Sequence, residues 1–198
     1  MQKIKKLIIT GFYTGFSPVL PGTCGSLLAF PLCYILLAVC TKFKPRLIIT
    51  GLDHGIQEII AIYFIFFVVI SIIFVFGVFW INEYIKETNI DDPKEVVIDE
   101  IAGQMLTIML TFFATIFAYN SYLINILSNP TIDFIFLFFL PFITFRIFDI
   151  LKPWPINWID KNVKGGFGVM FDDIIAAVMA SIMCYAITFV IIGDLASA

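Results

Sequence analysis

Very little in this 198-residue sequence is suited to water. Only 14% of its residues are charged, against about 25% in a soluble domain, which excludes an ordinary soluble globular protein. No lysine or arginine run extends beyond Lys5-Lys6 and the net charge is −3, so there is no basic surface for nucleic acid. Histidine is confined to His54, which leaves a zinc centre without its usual nitrogen donors. The four cysteines, Cys24, Cys33, Cys40 and Cys184, show no C-x-x-C spacing and lie mostly in apolar surroundings, so buried free thiols are expected rather than disulfides or metal ligands. No internal repeat or low-complexity tract appears beyond the hydrophobic bias.

What is present is apolar. Hydrophobic residues make up 61% of the chain, 23 of them Phe, and the mean hydropathy is +1.01. Trp80, Trp154 and Trp158 fall at or beyond the ends of apolar segments, where amphipathic rings prefer the membrane interface. Apolar stretches run over about 26–41, 59–81, 101–127, 132–150 and 173–192, and a crossing needs roughly 20 such residues. The expectation is an all-α integral membrane protein, a single domain over 1–198, built as one bundle of about four to five transmembrane helices. The first segment is the weakest. It is short and contains Pro31, so it either spans or is re-entrant, and a Gly/Pro-rich loop at 15–26 precedes it. The N-terminal Met1-Gln2-Lys3-Ile4-Lys5-Lys6 resembles a signal-peptide n-region, but no small-residue cleavage site follows, so it is expected to stay attached.

Five crossings would put Lys3, Lys5, Lys6, Lys86, Lys94, Arg146, Lys152, Lys161 and Lys164 on the side of the N-terminus, and Lys42, Lys44 and Arg46 on the other. Nine against three makes the first side cytoplasmic. The same assignment brings the loop 15–26, the acidic connector 82–100 and the connector 146–173 to that one face.

These connectors hold the polar residues that hydrocarbon penalises, at roughly 2.5–3.5 kcal/mol for a charge at a helix centre. Asp99-Glu100 and Asp172-Asp173 are each expected to open an apolar helix. Capping would explain one acid in each pair. Two adjacent pairs on one face also suit a hard divalent cation, and Mg²⁺ is held by carboxylates with waters and phosphate oxygens completing its shell. Asp99, Glu100, Asp172 and Asp173 are therefore the expected Mg²⁺ ligands. Arg146 and Asp149, three apart, form an intrahelical pair on the bland reading, and Lys152 snorkels to the interface; on the functional reading Arg146 and Lys152 clamp a lipid-borne phosphate. Gly165-Gly166-x-Gly168 and Pro21-Gly22-Thr23-Cys24-Gly25-Ser26 add backbone N–H groups and hydroxyls able to face an anion, with Thr23, Gly25, Ser26, Gly165 and Gly166 the candidate substrate contacts.

Three segments taken together resemble the bacterial phosphatidylglycerophosphatase A family: Pro18-x-x-Pro21-Gly22-Thr23-x-Gly25-Ser26, Asp92-x6-Asp99-Glu100-x-x-Gly103, and the long block from Phe145-Arg146 through Asp149, Lys152-Pro153-x-Pro155, Asp160 and Gly165-Gly166-x-Gly168 to Asp172-Asp173. The resemblance implies a Mg²⁺-dependent inner-membrane phosphatase. It would act on a bilayer phospholipid, removing the terminal phosphate of phosphatidylglycerophosphate to give phosphatidylglycerol. The chain departs from the family pattern D-D-x-x-A-G in having Ala177 after Ala176, and it carries an additional acid, Asp91.

Two mechanisms remain open. In one, metal-activated water attacks phosphorus beside Asp99, Glu100, Asp172 and Asp173. In the other, Asp149 or Asp92 is the nucleophile and an aspartyl-phosphate forms. Rival functions are another phosphate-lipid enzyme and, further off, an ion-coupled transporter. The first is weakened by the missing D-G-x-x-A-R pattern of CDP-alcohol transferases and the missing histidines of acid-phosphatase-like lipid phosphatases. The second would place its charges at the bilayer midplane between repeats, not at segment ends. Oligomeric state is not readable from the sequence.

Overall fold

Apolar runs with few breakers leave the backbone one way to satisfy itself away from water, by hydrogen-bonding within each segment. The computed structural model describes residues 2–47, 51–91, 93–122 and 134–197. Among them the ordered elements are helical: α1 (Gln2–Ile9), α2 (Pro21–Phe43), α3 (His54–Thr88), α4 (Ile98–Tyr122), α5 (Leu140–Leu151), α6 (Ile156–Asn162) and α7 (Gly165–Ser197). A short 3₁₀ turn covers Thr14–Phe16 and a π turn at Ile135–Phe139 runs into α5.

Helix ends depart from the sequence expectation where local chemistry outweighs composition. The glycine- and proline-rich stretch 21–26 is not loop but the first turns of α2. Pro21 sits at the helix start, where a missing N–H costs nothing. Pro31 is carried inside the helix. α3 outruns the apolar stretch 59–81 at both ends. Asp53 caps it by accepting from the Gly55 N–H at 2.8 Å, and Asn89, in the left-handed region, ends it. The most consequential difference concerns the last helix. It begins at Gly165, whose φ of +74° suits glycine, so Asp172 and Asp173 lie two turns inside α7 and do not cap it.

Three helices, α2, α3 and α7 over Gly165–Val190, are long and apolar enough to cross a membrane. The expected segments 101–127 and 132–150 both extend into 123–133, which lies outside the described residues. Phe64, Phe67, Phe79 and Ile182 are exposed on the helix surfaces, where lipid rather than water is the compatible neighbour. Among the described residues α7 packs most extensively on α4 and next on α5. Small side chains permit that approach: Ala176, Ala177 and Ala180 are fully buried beside Phe145 and Ile156. A Cβ on Gly103 would lie 2.7 Å from the Phe145 ring and 3.0 Å from the Asp173 carbonyl. The starts of α2, α4 and α7 and the ends of α3 and α5 meet at one end of the bundle, where the polar residues collect.

Candidate active site

A cavity of about 360 Å³ opens at that end. Its walls come from all three polar connectors: Gly22 at the start of α2, Asp99 and Glu100 in the first turn of α4, Arg146, Asp149 and Lys152 at the end of α5, Asp160 on α6, and Gly165, Asp172 and Asp173 on α7. The connector before α4 is held in place from two sides. Tyr84 donates to Glu95 Oε1 at 2.7 Å, and the Val97 N–H donates to the Ile9 carbonyl at 2.9 Å.

The half-buried cations Arg146 and Lys152 are already engaged. Arg146 forms an ion pair with Asp149, one turn along α5, and its Nη1 also donates to Ser26 Oγ at 3.3 Å. Ser26 in turn donates to the Gly22 carbonyl at 3.0 Å, so α5 is tied to the first turn of α2. Lys152 bridges two acids, Asp160 Oδ1 at 2.5 Å and Asp172 Oδ2 at 2.7 Å, and so joins α6 to α7. Burial works against its ammonium, but the hydrogen bonds to Asp160 and Asp172 outweigh that cost and hold its pKa above the ordinary lysine value.

With these pairs formed, Asp99, Glu100 and Asp173 have no ion pair among the described residues. Asp99, Glu100 and Asp173 each offer an oxygen such that the three atoms lie within 4.8 Å of one another. Asp99 Oδ1, Glu100 Oε2 and Asp173 Oδ2 are buried with no hydrogen-bond partner. Buried polar atoms are ordinarily satisfied, and like charges this close repel strongly at low dielectric. Three carboxylates that each bring an oxygen within 4.8 Å of the others and each keep a buried oxygen without a hydrogen-bond partner, with no sulfur or imidazole among them, fit a hard cation such as Mg²⁺.

A family profile described as phosphatidylglycerophosphatase A matches residues 7–188. The chain belongs to the phosphatidylglycerophosphatase A family. It is 31% identical over 181 residues to phosphatidylglycerophosphatase A of Escherichia coli strain K12, covering 91% of this chain and 81% of the relative. It is 28% identical over 183 residues to the Haemophilus influenzae protein of the same name, covering 92% and 88%. A Bacteroides thetaiotaomicron protein, provisionally named a phosphatidylinositol-3-phosphatase, is 31% identical over 186 residues, covering 93% of this chain and 94% of that one. No solved structure matches the chain.

Within this family member the expected site residues divide into three groups. Asp99, Glu100 and Asp173 form the three-carboxylate cluster, while Asp172 belongs to the Lys152 bridge beside it. Asp149 and Arg146 pair with each other at the cavity wall. The glycine and hydroxyl candidates serve packing more than ligand contact: Gly25 abuts Val97, Ser26 is buried on Arg146, and Thr23 is half-buried and does not line the cavity. Of the pair at the start of α7, Gly165 lines the cavity, but the Gly166 N–H donates to Asn82 Oδ1 at 2.8 Å. Asp92 lies outside the described residues. Sequence reasoning missed Asn82, which is distant in the chain from the glycine it holds. It also missed the cavity-lining cations Lys94 and Lys164, for which no ion pair forms among the described residues; their only signal was their place in the connectors.

Proposed function

We propose that this chain hydrolyses the terminal phosphomonoester of phosphatidylglycerophosphate, giving phosphatidylglycerol and inorganic phosphate, in the cavity at the polar end of the bundle. The observation that carries the reading is the uncompensated cluster of Asp99, Glu100 and Asp173 beneath a cavity with lysines at its walls, in a member of the phosphatidylglycerophosphatase A family. On this reading the chain crosses the bilayer five times in the bacterial inner membrane, and the cavity faces the cytoplasm. The nine-to-three division of Lys and Arg supports that orientation.

Asp99, Glu100 and Asp173 would hold Mg²⁺. Bound there, it supplies Lewis acidity toward a phosphoryl oxygen and lowers the pKa of a water. The remaining work falls to the chain. Lys94 and Lys164, exposed and lining the cavity, draw in the anionic headgroup with its two phosphates. Asp149 fixes the Arg146 guanidinium at the wall, oriented toward charge that develops on the phosphoryl group. Asp172 and Asp160 hold Lys152 charged beside the phosphoryl oxygens, while the glycerol oxygen of phosphatidylglycerol leaves phosphorus and takes a proton from water. The amino termini of α2, α4 and α7 all point their positive ends at the same space. Direct attack by water is favoured over an aspartyl-phosphate through Asp149, because that carboxylate already spends an oxygen on Arg146.

The deciding assay uses the purified full chain in detergent and measures phosphate released from phosphatidylglycerophosphate, with phosphatidylinositol 3-phosphate in parallel because of the Bacteroides relative. Mg²⁺-dependent release from the first substrate, exceeding that from the second, is expected. Faster hydrolysis of the inositol lipid would reassign the substrate, and no release from either would refute the phosphatase reading.

A further inference from the structure

A second cavity, of about 240 Å³, lies between α2, α3, α4 and the π turn. Its walls include Phe30 and Leu37 of α2, Phe66 of α3, Ile108 and Met109 of α4, and Leu137 of the π turn. Three of the elements forming it also form the carboxylate cavity, so its depth can be read from the helices themselves. Phe30 follows Gly22 by eight residues, Ile108 follows Glu100 by eight, and Pro141 precedes Arg146 by five. At ~1.5 Å per residue these spacings place the near edge of the groove about 8–12 Å from the polar site along the bundle axis.

We infer that this groove binds one acyl chain of the lipid whose headgroup occupies the polar cavity. The inference rests on the phosphatase reading above and adds a tail-binding site to it. The distance matters because the glycerol, phosphodiester and glycerol phosphate headgroup of a phosphatidyl lipid limits how far its tail can begin from the reacting phosphorus. The groove's walls are almost wholly apolar side chains, and Tyr34, which also lines it, is largely exposed, leaving the groove open at the side where lipid is the neighbour. Leu137 reaches it from a π turn, a widened form of helix that is found mostly as single turns and often at functional sites. A tail seated here fixes the orientation of the headgroup, so binding energy from a part of the substrate that does not react serves the chemical step.

The test begins with the wild-type full chain in vesicles of phosphatidylcholine. Phosphatidylglycerophosphate carrying a photoreactive group midway along one acyl chain is expected to crosslink to residues 30–37, 62–66 or 108–112. Unlabelled phosphatidylglycerophosphate should compete, and additional phosphatidylcholine should not. Crosslinks confined to other faces, or competed equally by both lipids, overturn the inference. A second readout is the ratio of kcat/KM for dipalmitoyl over dihexanoyl substrate. Filling the groove with Ile108→Trp should lower that ratio about tenfold or more, since a tail that cannot enter the groove no longer fixes the orientation of the headgroup for the chemical step. An unchanged ratio in a variant that still hydrolyses either substrate overturns it as well. Hydrolysis by the wild type without groove crosslinks would remove the acyl site and leave the phosphatase assignment standing, whereas absence of hydrolysis at both chain lengths would remove that assignment itself.

Discussion

Gly22 stands against Glu100 so closely that a Cβ at position 22 would lie 2.2 Å from Glu100 Oε1 and 3.2 Å from Arg146 Nη1. The absence of a side chain there sets where the Glu100 carboxylate can go. Gly22→Ala is expected to push Glu100 out of the three-carboxylate cluster and lower turnover at least about tenfold, or ~1.4 kcal/mol of barrier. Alanine is the better helix former by about 1 kcal/mol, so thermal unfolding should stay at or above the wild-type midpoint. Full activity in the alanine variant would show that the position of Glu100 does not matter.

Asp173 lies two turns inside α7 and has no capping role, and Asp99 sits in the first turn of α4. Replacing either by Asn preserves shape and removes the charge a hard cation requires. Turnover should fall by orders of magnitude with the fold intact. Retention of more than about half the wild-type rate at saturating Mg²⁺, a loss below ~0.5 kcal/mol, would remove these residues as ligands.

Chelation gives a readout independent of catalysis. Mg²⁺ added to metal-stripped wild type should raise its unfolding temperature, because a ligand that binds only the folded state stabilises it by RT ln(1 + L/Kd), L being the free ligand concentration. The Asp173→Asn variant should show little of that shift. An equal shift in both proteins would place the cation elsewhere.

Lys152→Met would leave buried Asp172 without its cation. Since the lysine side chain is about a third exposed, a cost of about 1–3 kcal/mol is expected, below that of a fully buried pair. The folded state raises the lysine pKa. This contribution is therefore complete below the ordinary value of about 10.4 and is lost only as pH rises past the raised one. Chemical denaturation of the two proteins from neutral pH upward should give a constant stability gap that closes only in strongly alkaline solution. A gap that closes near neutrality would contradict the bridge.

Lys94→Ala and Lys164→Ala test capture of the headgroup at the cavity. Each should raise KM severalfold with kcat nearly kept, and the effect should shrink as salt screens the charges. A fall in kcat with unchanged KM would instead put the lysine at the reacting phosphate. The same positions report orientation: single cysteines at 94 and 164 in a cysteine-free background should resist an impermeant reagent applied outside intact cells, and labelling from outside would invert the topology.

The membrane class and the presence of a polar site were legible in the sequence because each depends on composition. Hydrocarbon excludes charge, so apolar runs had to become helices, and the acids left between them had to mean something. The motif blocks likewise pointed to the family without any coordinates. Pairing was a different matter. Asp172 and Asp173 are adjacent in the chain, yet helix geometry sends one carboxylate to Lys152 and the other to Asp99 and Glu100, a division that no spacing rule reveals. Gly166 reads as an anion-binding turn until Asn82, on a different helix, takes its N–H. The starting point of α7 was also hidden, because glycine composition suggests a loop while the packing of Gly166 on Val78 and Asn82 admits only a helix without side chains there. Local chemistry is written along the chain, but charge balance is a sum over everything that folding brings within a few ångströms. The sequence alone therefore determined which residues carry charge in this bilayer protein, and only the tertiary structure decided which of those charges cancel and which three carboxylates come together without an ion pair.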